Sequence, residues 1–284
     1  MLAALIGGAI YNFQRSLMYF PAMQDSGRSY VCTPERFNFS YEDVYLKTSD
    51  GVTIHSWLIK QERSRFVPTF VFFHGNAGNI SHRLPNAAEL YRKLGVNILL
   101  VEYRGFGESG GDISEKGLIL DGIAAIDWCL SDVAASLINP EQIIVFGRSL
   151  GGAVAIAACK ERASQVQGMV LENTFTSMSE MASVVLPIVG PFRWLIADKW
   201  ISTSRLADVT CPVLLIVGMK DELVPPSMTQ QLKTIASAAS SAVEMLPIPD
   251  GGHNDSWMMP GYYEGLQRWL RTVQLRGTLP SAYT

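Results

Sequence analysis

Ile143-Ile144-Val145-Phe146-Gly147-Arg148-Ser149-Leu150-Gly151-Gly152-Ala153-Val154-Ala155 is the stretch on which the reading turns. Its first four residues form an apolar run without polar alternation, as strands covered on both faces do. Gly147-Arg148-Ser149-Leu150-Gly151 follows at once and passes into a small-residue helical pattern. Strand, tight turn and helix in that order are the setting of a nucleophile elbow, where the turn lifts a serine above a sheet. Glycine two residues before and two after Ser149 removes side chains that would collide across the turn. The Leu150 amide then lies at a helix N-terminus, where developing negative charge is favoured.

The same phrase repeats on either side of this stretch. Further apolar runs are Phe70–Phe73, Ile98–Val101, Met169–Leu171 and Val213–Val217, with another strand around Glu244–Ile248. Leu84, Ala87, Ala88 and Tyr91 share a helical face ended by Gly95, and Ile119, Ile123, Ile126 and Leu130 form another, opened by an Asp112–Glu115 capping-box pattern. Strands alternating with helices imply an α/β fold with a mostly parallel central sheet and helices on both faces. Val44–Lys47 and Val52–Lys60, joined across Asp50-Gly51, read as an antiparallel hairpin on its edge. Residues 174–205 break the rhythm: apolar and helical, but split by Pro187, Gly190 and Pro191. They read as two short helices inserted as a cap on one domain that covers residues 21–284.

Composition narrows the function classes. Hydrophobic residues make up 48% and charged ones only 17%, which excludes disorder. The net charge of −3 and the absence of a basic stripe argue against nucleic-acid binding. The four cysteines (Cys32, Cys129, Cys159 and Cys211) lie far apart, which suits reduced thiols better than disulfides. The four histidines show no ligand spacing, so neither a metal nor any other cofactor is expected.

A serine nucleophile needs a base, and the base needs an orienting carboxylate. His253, in Gly251-Gly252-His253-Asn254, is the one histidine downstream of every sheet run. His55 lies within a strand and His82 begins a helix, while His74 ends a strand in a loop suited to a supporting role. Asp221, just past the Val213–Val217 strand, is the preferred acid; Glu172, at the end of the neighbouring strand, is its rival. The order Ser149, Asp221, His253 is the one expected for a serine on an elbow of this kind. The amides of Leu150 and Asn76 are the expected oxyanion donors. Two decoys fail on context. Gly107-Glu108-Ser109-Gly110-Gly111 trails its strand without opening a helix, and the overlapping Gly105–Gly110 glycine pattern does not follow its strand tightly.

These residues resemble the α/β-hydrolase superfamily. Within it they are similar to the α/β-hydrolase domain-containing protein 13 branch and its fungal bud-emergence-suppressor relatives. The resemblance rests on Phe73–Ile80, Tyr103–Ser109, Phe146–Ala153, Glu172–Phe175, Val224-Pro225-Pro226 and His253-Asn254-Asp255. It implies the α/β-hydrolase fold, with charge-relay roles for Ser149, Asp221 and His253. Arg148 in the elbow and the Glu172–Phe175 string mark the branch rather than the superfamily. The activity expected is a serine esterase or thioesterase working through an acyl-enzyme, on a small-molecule or acylated-protein ester. A catalytically silent scaffold and a serine peptidase are the alternatives. Apolar cap residues, Met178, Met181, Val185, Phe192 and Trp194 among them, fit either an acyl pocket or simple packing on the core.

Leu2–Phe13 is mostly apolar but shorter than the roughly 20 residues that span a bilayer. Residues 1–20 therefore read as an apolar helix that spans, lies on a membrane or packs on the body, with a cytoplasmic protein as the alternative. Leu2, Leu5, Ile6, Ala9, Phe13, Leu17 and Phe20 share one face of it. Asn38, Asn79 and Asn254 begin glycosylation sequons, two of them in loops where a glycan would obstruct substrate.

Overall fold

Eight strands, β1 Tyr41–Lys47, β2 Thr53–Ile59, β3 Thr69–Phe73, β4 Asn97–Val101, β5 Ile143–Arg148, β6 Gly168–Glu172, β7 Val213–Gly218 and β8 Val243–Ile248, form one sheet. The computed structural model describes residues 13–185, 187–240 and 242–277. The strand order is β1-β2-β4-β3-β5-β6-β7-β8, antiparallel from β1 to β4 and parallel from there on. Every residue of β3, β4, β5, β6 and β7 is buried, which is why these runs lack polar alternation. Val71, Phe73 and Val145 enter one core layer, with the helices Glu115–Cys129, Leu150–Arg162 and Pro226–Ala239. Phe70, Phe72 and Phe146 enter the other, under the helices Leu84–Leu94 and Tyr262–Gly277.

The chain leaves β3 toward β4 on one side and returns to β5 on the other, so the strand order reverses at β3. Phe73 pairs in register with Gly147, and the loops after β3 and β5 therefore emerge side by side. Such switch points are where open α/β sheets bind ligands.

Several local expectations need correction. The helix Glu115–Cys129 is capped by Ser114, whose Oγ accepts the Gly117 amide, and not by Asp112. Its buried face is Leu118, Asp121, Gly122, Ala125 and Ile126; Ile119, Ile123 and Leu130 are only partly buried. The apolar pattern misleads because this face carries Asp121, paired to Arg104, and Gly122, packed against Val154 and Ala158. In the cap, Met178–Val185 is helical, but Pro187–Leu195 is a 3₁₀ helix and Ser202–Leu206 adds a third turn. Pro191 lies inside the 3₁₀ segment, where a proline has no amide to give an α-helix.

At the N-terminus, residues 1–12 lie outside the described residues, and so does most of the expected helix. Its visible part covers residues 13–18, and Phe20 instead makes a parallel bridge with Ala77. Phe13, Leu17 and Phe20 are exposed, whereas Tyr19 is buried. Among the described residues, no helix is long and apolar enough to cross a membrane and no side-chain cluster could hold a metal. All four cysteines are free thiols.

Candidate active site

Ser149 sits between β5 and the helix Leu150–Arg162 with φ 54° and ψ −118°, outside the regions that L-residues ordinarily occupy. Backbone bonds hold it there: its amide donates to the Glu172 carbonyl at 2.9 Å, and its carbonyl accepts from the Gly152 amide at 2.9 Å and Thr174 Oγ1 at 2.8 Å. A Cβ on Gly147 would be driven into the Gly151 carbonyl, and one on Gly151 into that of Phe73. We expect Gly151→Ala to break the elbow and the β3 contact together, visible as a large loss of soluble, folded protein.

His253 Nε2 lies 3.0 Å from Ser149 Oγ, and His253 Nδ1 lies 2.8 Å from Asp221 Oδ2. The other oxygen, Asp221 Oδ1, accepts the Leu223 amide at 2.9 Å and the Val224 amide at 2.8 Å, in the turn that follows β7. The carboxylate is almost wholly buried, and two donors fix which oxygen faces the imidazole. Three chain positions far apart in sequence thus meet above the carboxyl ends of β5, β7 and β8.

Glu172 points elsewhere. Its Oε2 accepts from Tyr262 Oη at 2.7 Å and its Oε1 lies 3.7 Å from Arg148 Nε, all buried. Burial and the adjoining Glu172 carboxylate push the Tyr262 phenol well up, so it stays protonated and donates. Asp255 Oδ1 accepts the Gly252 amide at 2.6 Å and closes the histidine loop. Asp250 pairs with Lys220 in the open.

Arg148 and Asn173 act on the site in a way their spacing alone does not reveal. Arg148 Nη2 donates to the His253 carbonyl and to Asn254 Oδ1, both at 2.9 Å. Asn173, with φ 48°, donates to the Gly252 carbonyl at 3.0 Å and the His253 carbonyl at 3.2 Å, and accepts the Gly218 amide. Arg148 and Asn173 therefore tie the histidine loop to the ends of β5, β6 and β7. Removing Arg148 would also leave Glu172 buried without its cation, which is costly. Arg148→Ala is expected to lower the melting temperature by several degrees and to reduce kcat about tenfold to a hundredfold through a misplaced His253.

The loop after β3 is anchored from below. His74 is buried, with Nε2 3.2 Å from Glu102 Oε1, and Glu102 Oε2 accepts the Ile80 amide at 3.0 Å. A Cβ on Gly75 would lie 3.7 Å from Ser149 Cβ, so the loop passes directly beside the nucleophile position. Asn76 is fastened to the N-terminal segment: its Nδ2 donates to the Met18 carbonyl at 2.8 Å and its carbonyl accepts the Phe20 amide at 2.8 Å. Ser109, the decoy serine, is buried and spends its hydroxyl on the Glu102 carbonyl and the His55 amide. Its surroundings leave it a structural part. His55 lies between Tyr30 and Asp43, and His82 in the 3₁₀ turn Ile80–Arg83.

A cavity of about 420 Å³ opens above Ser149, walled mainly by apolar side chains. Met178, Met181 and Val185 of the cap line it, with Phe175, Ile196 and Leu223. Phe192 and Trp194 do not; Trp194 is 71% exposed, because the 3₁₀ turn swings it outward. Gln14, Leu17, Met18 and Phe20 supply a wall that the sequence reading missed. The two other predicted members, Asn76 and Leu150, also border the cavity.

The sheet order, the serine turn and the histidine loop define an α/β-hydrolase. Sequence comparison gives the same class: a family profile described as "Serine aminopeptidase, S33" matches residues 67–204. The Alpha/beta hydrolase domain-containing protein WAV2 of Arabidopsis thaliana is 38% identical over 88% of this chain and 84% of its own length. Protein bem46 of Schizosaccharomyces pombe is 36% identical over 93% and 87%, and an uncharacterized membrane protein of Saccharomyces cerevisiae is 31% identical over 95% and 93%. The chain belongs to the α/β-hydrolase family, in the branch that holds WAV2 and bem46. Among solved structures, an esterase of Pyrococcus furiosus superposes with a TM-score of 0.72 at 22% identity, covering 86% of this chain and 94% of its own. The carboxylesterase EstE1 from a metagenomic library does so with 0.63 at 17% identity, over 85% and 90%. At such identities the likeness concerns the fold.

Proposed function

We propose that this protein is a serine hydrolase that cleaves carboxylic esters or thioesters with apolar acyl groups. The observation that carries the reading is the unbroken chain Ser149 Oγ, His253 Nε2, His253 Nδ1, Asp221 Oδ2, with gaps of 3.0 and 2.8 Å, at the floor of an apolar cavity. Ser149 Oγ attacks the carbonyl carbon while His253 Nε2 takes its proton, and Asp221 stabilises the imidazolium. The amides of Leu150 and Asn76 receive the oxyanion. As the tetrahedral species collapses, the bond to the leaving oxygen or sulfur breaks and His253 returns the proton to it. Water then repeats the cycle on the acyl-enzyme. No cofactor enters these steps.

Two rival readings have less support. A silent scaffold has no need for a serine held at positive φ against a paired histidine. An aminopeptidase, the activity in the matching profile's description, must hold a substrate ammonium, yet no carboxylate is among the described residues lining the cavity. Fluorophosphonate labelling of the wild type and of Ser149→Ala tests the reading: labelling of both, or of neither, overturns it.

The cavity predicts acyl preference. kcat/KM should rise from acetate toward medium-length chains, and Met181→Trp should shift the optimum to shorter ones; a monotonic fall beyond acetate removes the acyl-pocket reading. The oxyanion loop predicts a contrast. Gly75→Ala should be mild, since its Cβ fits at van der Waals distance, whereas Gly75→Leu should fill the space beside Oγ and cut kcat at least a hundredfold. Asn76→Ala keeps the amide and should cost about tenfold or less, by freeing Met18.

Membrane association through residues 1–20 belongs to this proposal, supported by the name of the yeast relative. Deleting residues 1–12 tests anchoring alone; a chain starting at Pro21 also loses a cavity wall. Equal solubility of the full chain and the chain lacking residues 1–12 in cell fractionation would remove the anchor. The Asn79 side chain is buried and bonded to the carbonyls of Arg28 and Ser29, which disfavours glycosylation there.

A further inference from the structure

The cavity above Ser149 is rimmed by apolar side chains that face water. Leu17, Phe20, Val185 and Leu223 line it and yet are 58%, 45%, 47% and 39% exposed. They come from three places in the chain, the N-terminal segment, the cap and the turn after Asp221, and converge on one mouth. Phe13, Val184 and Trp194, on the same N-terminal and cap segments, are 62%, 44% and 71% exposed. Soluble proteins seldom leave so much apolar surface together without a use for it.

This rim is built rather than loose. Tyr19 Oη donates to Asp198 at 3.0 Å and accepts from Trp200 Nε1 at 2.9 Å, Arg15 pairs with Asp198, and the Ala197 amide donates to Gln14 Oε1. With the bonds to Asn76, these contacts lock residues 14–20 between the cap and the oxyanion loop. The chain therefore enters the described structure at the cavity mouth. The sequence leading to that point has no charged side chain before Arg15. Trp194 stands beside Arg193, the pairing of an amphipathic ring and a cation that suits a headgroup layer.

We propose that the mouth of the Ser149 cavity docks on a phospholipid bilayer, so that the acyl chain of the substrate passes from the leaflet into the cavity without crossing water. This rests on the hydrolase reading and names the phase from which the substrate comes. Each methylene kept out of water changes the partition by about fourfold, so a route from lipid favours long chains.

The test uses the full chain, phosphatidylcholine vesicles, a soluble butyrate ester and a long-chain ester embedded in the vesicles. The perturbing variant is Val184→Asp with Trp194→Asp, two exposed cap residues that do not line the cavity. It should hydrolyse the soluble ester within about twofold of wild type and the embedded ester about tenfold more slowly. Brominated phosphatidylcholine should quench part of the wild-type tryptophan fluorescence, and Trp194→Phe should lose that part. Unchanged turnover of the embedded ester by the double variant, or no quenching assignable to Trp194, overturns the proposal. A dimer that shields Trp194 without vesicles would assign the rim to a second copy of the chain instead. If wild type fails on the soluble ester, the hydrolase reading falls, while the quenching measurement still reports docking.

Discussion

Replacing Ser149 by alanine is expected to lower kcat for ester hydrolysis by about 10⁴-fold or more while the protein stays folded. The turn at residue 149 rests on its backbone rather than on its side chain. The hydrogen bonds that hold residue 149 at φ 54° run through its amide and carbonyl, to Glu172, Gly152 and Thr174, and none is lost with the hydroxyl. Alanine bears the same positive-φ strain as serine, so the melting temperature should move by only a degree or two. His253→Ala should lose as much activity, and the double variant little more, because the two groups act as one unit. Steady-state hydrolysis of a short ester together with a thermal melt checks both halves. Normal turnover by folded Ser149→Ala would sink the mechanism.

Asp221→Asn should cost about 10⁴-fold in kcat, for a reason visible in the turn. The Leu223 and Val224 amides both donate to Oδ1, so an asparagine places its carbonyl oxygen there and turns its NH₂ toward His253. Nδ1 must then accept, Nε2 must carry the proton, and the imidazole can no longer take one from Ser149. Glu172→Gln should leave that tautomer alone. It weakens the Arg148 and Tyr262 contacts and should register chiefly as lost stability. The comparison is made on kcat with both variants purified and melted. A crippled Glu172→Gln beside a near-normal Asp221→Asn would exchange the two assignments.

Much of the frame is legible without coordinates because it is written in short-range patterns. The apolar runs name β3 to β7, since a strand covered on both faces has no polar side to show. The elbow is readable because glycines at 147 and 151 are demanded by backbones that touch within a few residues of the serine, or across one strand pair. Pattern fails where packing replaces hydrophobicity. The helix Glu115–Cys129 buries Asp121 and Gly122, so of its apolar stripe only Ile126 is fully buried, and Ile119, Ile123 and Leu130 are only partly so. In the cap, proline turns Pro187–Leu195 into a 3₁₀ segment and puts Trp194 outside the cavity.

By itself, the sequence determined the α/β class and the serine turn, and it singled out Ser149, Asp221 and His253 as candidates in that order along the chain. Local steric demands and burial on two faces leave few other readings of those residues. Only the tertiary structure decided which oxygen of Asp221 faces His253, that Arg148 and Asn173 hold the histidine loop, and that Gln14, Leu17, Met18 and Phe20 wall the cavity. Arg148 lies 105 positions from His253, and Met18 lies 58 from Asn76. Contacts over such separations follow from how strands order themselves in the sheet, which no window of neighbouring residues encodes.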